Sequence, residues 1–133
     1  MSLAGAMEKL SAYAKLSGAL ISTSEPTENV GALPFSVVYE TSAETNLLSA
    51  GMADDLVEIS VEFHASRVLL PKAISDAQQW KDNFLAYIIA DPTLSNTVDT
   101  ITEIRRVFGK LEWGNEIHIG YRFLIKVKIQ VHT

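Results

Sequence analysis

"IHIGYRFLIKVKIQV", residues 117–131, alternates apolar and polar side chains along its whole length. Ile117, Ile119, Tyr121, Phe123, Ile125, Val127, Ile129 and Val131 fall on one face. His118, Arg122, Lys126, Lys128 and Gln130 fall on the other, interrupted by Gly120 and Leu124. A period of two marks a strand with one face buried and one wet. "LVEISVEFHAS", residues 56–66, repeats the pattern, with Val57, Ile59, Val61 and Phe63 opposed to Glu58, Ser60, Glu62 and His64. The two polar faces carry opposite charge. If the strands are neighbours, Glu58 and Glu62 face Arg122, Lys126 or Lys128 across the ladder. Such exposed pairs contribute about 0.2–1 kcal/mol each.

Outward from these strands the periods change. "LLPKAISDAQQWKDNFLAYIIADP", residues 69–92, puts Ala73, Ala77, Trp80, Phe84 and Ile88 on one helical face, with Pro71 in the first turn where a missing N–H costs little. In "IIADPTLSNTVDTI", residues 88–101, Asp91-Pro92 stops that helix, Ser95-Asn96 forms a turn and Thr97 leads into a strand. "TVDTITEIRRVF", residues 97–108, is β-rich but breaks alternation, which predicts a bulge. "GKLEWGN", residues 109–115, is the turn to the last strand. Toward the N-terminus, Met7, Leu10 and Ala14 predict a helix over residues 4–20. Phe35, Val37 and Tyr39 predict a short strand in "LPFSVVYE", residues 33–40, begun through Pro34. "TSAETNLLSAGMADD", residues 41–55, shows neither period and reads as a long mobile loop. Its Leu47, Leu48 and Met52 either tuck onto the chain's own core or are buried against another subunit. The predicted order is α-β-loop-β-α-β-β. It describes one α+β domain over residues 1–133, a mainly antiparallel sheet with two helices on one face.

Composition narrows the function. With 47% hydrophobic residues the chain can fill a core, and with no cysteine it has no disulfide or thiolate chemistry. No apolar run approaches the ~18 residues of a membrane span. The alanine- and leucine-rich N-terminus is interrupted by Glu8, Lys9 and Lys15, against a signal peptide. The net charge is −5, and residues 1–55 hold all the excess, seven acids against two lysines. Such a chain is poorly made to grip phosphates, so neither sequence-specific nucleic-acid binding nor a membrane partner is expected.

Candidate chemistry is sparse. Glu62 and His64 share a strand face, and His118 could join them to bind a metal or form an acid–base pair. The competing reading is a solvated face of mixed charge. Asp91, Asn96 and Asp99 could meet a hard cation, but their spacing is not that of a calcium loop. Neither a glycine-rich phosphate loop, nor a G-x-S-x-G elbow, nor H-E-x-x-H is present. Arg105 and Arg106 point to opposite faces and suit cross-strand or intersubunit ion pairs. Trp113, in the last turn, is a hairpin cover or an interface anchor. The expectation is a non-enzyme without cofactor or metal.

The order of elements, the segments "LPFSVVYE" and "YRFLIKVKIQV", and above all "ADPTLSNTVDT", residues 90–100, resemble the tail terminator (tail completion) proteins of long-tailed bacteriophages. Ser95-Asn96 stands where that pattern has a small or glycine-rich pair. The resemblance implies a homo-oligomeric, generally six-fold ring in the virion tail, assembled in the host cytoplasm. It would close the tail tube and join it to the head connector. Another neck or head-closure ring is the near alternative, and a small bacterial binding module the distant one. A ring needs two different patches per subunit. The candidates are the acidic segment with Leu47, Leu48, Met52, Asp54 and Asp55, and the basic terminal strands with Arg105, Arg106, Trp113, Arg122, Lys126 and Lys128.

Overall fold

The two alternating segments become the central strands of a five-stranded sheet. In the computed structural model, which describes residues 2–27 and 32–132, the elements run α1 (Leu3–Leu16), β1 (Ile21–Thr23), β2 (Phe35–Ser49), β3 (Met52–Ala65), α2 (Leu70–Ala90), β4 (Thr100–Trp113) and β5 (Glu116–His132). A short 3-10 turn, Arg67–Leu69, leads into α2. The spatial order is β1-β2-β3-β5-β4, antiparallel throughout except where β1 runs parallel to β2. This is the α+β class read from the sequence, with β1 added.

Both helices lie on one face of the sheet because their apolar stripes meet the apolar row of the central strands. Val57 pairs with Val127, Ile59 with Ile125, Val61 with Phe123 and Phe63 with Tyr121, stacking large side chains beneath the helices. Trp80 of α2 sits in the middle of this layer, stacked on Phe63 at 4.7 Å and on Phe84 at 4.8 Å, with Phe123 edge-on at 5.7 Å. Its indole N–H donates to the Ala14 carbonyl at 2.9 Å, so the residue that fills the core also ties α1 to α2.

Residues 41–55 are not a loop. They form the distal half of a hairpin in which β2 pairs with β3 from Phe35–His64 to Ser49–Met52. The turn is Ala50-Gly51, with Gly51 at φ +76°, a conformation glycine adopts without a steric penalty. The alternation is hidden for two reasons. Register shifts between Glu40 and Ser42 and between Leu47 and Ser49 exchange the faces. Beyond the reach of the helices this part of β2 is also exposed on both faces, so no apolar row is needed. In β4 the expected irregularity is present, a register shift between Ile101 and Glu103.

At the end of α2 the chain turns through Leu94, Ser95 and Asn96 at φ +48°, +57° and +65°, three successive left-handed residues of which none is glycine. Each such residue costs roughly 1–2 kcal/mol, less for Asn. The turn is held by the Asp91 carboxylate, which accepts the Ser95 N–H at 2.9 Å and the Tyr13 hydroxyl at 2.6 Å, and by fully buried Leu94. In urea denaturation, Asn96→Val is expected to lose about 1–2 kcal/mol of stability, and Asn96→Gly to lose none. Equal losses from the two would mean that the turn stores no strain.

Candidate functional site

The sheet face turned away from the helices is where polar side chains converge. Strand alternation brings Glu62 and His64 to it from β3. Register then sets Phe35 of β2 opposite His64, and Tyr39 opposite Ser60. From β5 come Arg122, opposite Glu62, and His118, which has Leu111 of β4 across from it. The solvated face expected from alternation is absent here. His64 is 0%, Glu62 1% and His118 4% exposed. Aromatic rings make the cover. Phe35 stacks on His64 at 4.6 Å and meets His118 edge-on at 5.3 Å, and Trp113 lies edge-on to His64 at 6.1 Å. The Trp113 indole donates to the Thr27 carbonyl at 2.6 Å, which ties this half-buried ring to the segment that follows β1.

A continuous chain of polar contacts runs from beneath that cover out to Glu116, whose side chain is 77% exposed. Glu62 Oε1 lies 2.8 Å from His64 Nε2, His64 Nδ1 lies 2.9 Å from His118 Nδ1, and His118 Nε2 lies 3.0 Å from Glu116 Oε2. The second Glu62 oxygen accepts from Arg122 Nε and Nη2, each at 3.2 Å, and from the Tyr39 hydroxyl. Gly120 makes the approach possible. A Cβ there would lie 1.7 Å from the Phe63 carbonyl oxygen, so a side chain at 120 would push β5 off β3 beside the histidine pair.

Electrostatics follow from burial and partners. Burial pushes the Glu62 carboxyl up, but hydrogen bonds from His64 and Tyr39 and the charge of Arg122 outweigh it and hold the group below its ordinary value. Burial lowers His64 from the ordinary imidazole value, and the Glu62 contact only partly offsets it. Burial first, then the Glu62 hydrogen bond, raises the Tyr39 phenol. The arrangement is an ionised carboxylate clamped by an arginine and a phenol, next to an imidazole that resists charging.

Of the residues singled out in the sequence, Glu62, His64 and His118 are brought together, with Arg122 beside them. Among the described residues, no group of three or more His, Asp or Glu is arranged to hold a metal ion. Asp91 and Asp99 serve the backbone, Asp91 in its turn and Asp99 by accepting the Gln130 N–H at 2.7 Å. The expected Glu62–Arg122 pair forms. Glu58, however, turns to Arg105 at 3.4 Å, Lys126 to Glu103 at 3.7 Å and Lys128 to Asp54 at 3.6 Å. Asp55 accepts from Thr45 across the hairpin at 3.0 Å. Leu47 and Leu48 are exposed, off the chain's own core, while Met52 is half-buried. Sequence reasoning missed Phe35, Tyr39 and Glu116 as members of the cluster. One signal was available, since "EFH" at 62–64 and "EIH" at 116–118 place the same Glu-x-His triplet in both central strands.

No known protein family matches the chain, and no curated protein sequence is significantly similar to it.

Because His64 binds its proton less readily in the fold than in the unfolded chain, its contribution to stability is complete above the ordinary value of 6.5 and is lost as pH falls below it. The thermal midpoint of the wild type is therefore expected to drop between about pH 6.5 and 5, with a shallower drop in His64→Gln. A second outcome concerns Gly120. Gly120→Ala is expected to destabilise by several kcal/mol, about 3 or more, in denaturant titrations, because backbone and not a side-chain tip occupies the space.

Proposed function

We propose that this chain is a non-enzymatic structural protein of a bacteriophage or prophage tail. It assembles with copies of itself into a ring, generally six-fold, that closes the tail tube and joins it to the head connector. The observation carrying this reading is the end of the β2–β3 hairpin, where Leu47 is 84% and Leu48 51% exposed beside acidic Glu44 and Asp55. Two adjacent leucines at the tip of a paired hairpin are a poor use of apolar surface in a monomer, and a good one at an interface.

The opposite edge of the sheet supplies a different surface. β4 carries Arg105, Arg106, Val107 and Phe108, all exposed, and the strand order sets it at the far side from β2. Unlike patches on opposite edges suit a head-to-tail contact, the kind that closes into a ring. Glu44 on one and Arg106 on the other suit recognition between copies, Arg105 being paired within the chain to Glu58 and Glu103. The likeness of "ADPTLSNTVDT" and of the element order to tail terminator proteins supports the same reading. The tail tube and the head connector are then the partners, and the virion tail the location.

Light scattering tests this directly. The wild type is expected at the mass of a closed ring, with rings in negative-stain images. Leu47→Glu with Leu48→Glu is expected to be monomeric, with a stability within about 0.5 kcal/mol of wild type, since both positions are exposed. A chain that is monomeric at every concentration and also fails to cap polymerised tail tube would overturn the proposal.

A further inference from the structure

The hydrogen-bond chain on the outer sheet face has three gaps to bridge, Glu62 to His64, His64 to His118 and His118 to Glu116. A hydrogen bond needs one proton per gap, and a carboxylate brings none. Two neutral imidazoles bring two protons, one fewer than the gaps require. Three protons, one imidazolium and one neutral ring, fill all of them. With four, both rings are imidazolium, and two Nδ1–H groups face each other at the 2.9 Å contact.

Position decides which ring takes the extra proton. His64 Nε2 faces Glu62, whose other oxygen is already engaged by Arg122 and Tyr39. Among the described residues its Nδ1 is bonded to the other ring alone, so His64 is complete as a neutral Nε2–H tautomer accepting at Nδ1. His118 must then donate at Nδ1, toward His64, and at Nε2, toward Glu116. It is complete only as imidazolium. Among the described residues, the charged and titratable groups facing the pair are Tyr39 from β2, Glu62 from β3, and Arg122 and Glu116 from β5. β4 contributes uncharged Leu111 and Trp113.

We propose that His64 and His118 hold one added proton as a pair, and that this proton latches the β4–β5 turn over the outer face of the sheet. Glu116 is the link. It forms the last registered pair of the hairpin with Trp113, and its carboxylate is drawn in by His118 Nε2–H. Removing the proton leaves the Glu116 carboxylate against a bare nitrogen lone pair, and the turn loses its tether. Trp113 sits one turn away, with its ring against His64 and its N–H on the Thr27 carbonyl. A second proton sets N–H against N–H between the rings. The latch is closed only between these two limits, whatever the chain's role in a larger assembly.

The chain has three histidines, His64, His118 and His132, so imidazole nitrogen NMR of the full 15N-histidine-labelled protein reads each ring over about pH 5 to 9. At neutral pH, His64 is expected as the Nε2–H tautomer and His118 with both nitrogens protonated. As pH rises, both rings and the Trp113 indole N–H are expected to shift in one shared transition, and amide exchange in residues 113–116 to speed up. In His118→Gln that transition should vanish from His64 and Trp113. A neutral His118 at pH 7, or two rings titrating without effect on each other, overturns the proposal. If the variant does not fold, the wild-type titration alone separates these outcomes.

Discussion

β3 and β5 lie side by side from Met52–His132 to Ala65–Ile119 without a register shift, and the other elements are placed by that ladder. Because the pairing is unbroken, the side chains of each strand keep to their faces over the full length. The odd-numbered residues of both strands form the floor on which α1 and α2 rest. The even-numbered ones form the second face, where the two Glu-x-His triplets meet. A slip of one residue would exchange the faces, burying the charges under the helices and exposing the apolar stack. Gly120 guards this register from the inside, because the Phe63 carbonyl occupies the place a side chain would need.

How much of this was legible depends on what each residue answers to. Helix α2 and the central strands were readable because one face of each is buried against the same partner for many residues, which imprints a period. The α+β class followed from their order. The distal half of β2 left no such imprint, since neither of its faces is covered and two register shifts displace it. β1 is too short to show a period at all. The histidine cluster was only half legible. Alternation correctly grouped Glu62, His64 and His118, but solvent exposure depends on the neighbouring strand. Phe35 and Tyr39, which close over them, came from a strand whose register could not be known. The alternation of Phe35, Val37 and Tyr39 predicted the strand but not which face of the sheet they would take.

The two faces of the sheet are therefore buried by different means. On the helical side, Trp80 and its neighbours exclude water by area, and the indole's one polar atom finds the Ala14 carbonyl. On the outer side the cover is thin, and Glu62, His64 and His118 beneath it are partnered by one another and their neighbours, while the buried Ser60 hydroxyl beside them has no partner among the described residues. A buried polar network is stabilising only when every member has a partner. The outer face is thus sensitive to a single proton in a way that the helical face is not.

The hairpin that carries Leu47 and Leu48 has a thermodynamic consequence of its own. Its inner strand is bonded to β5 as far as Met52, so the tip is part of a three-stranded blade and not a free ribbon. A disordered segment that folds on binding gives up about 2–5 kcal/mol of its contact energy to ordering. Here that ordering accompanies folding of the domain, long before any partner arrives. The affinity of a surface built at the tip would be set by its side chains, and its orientation by the twist of the whole sheet.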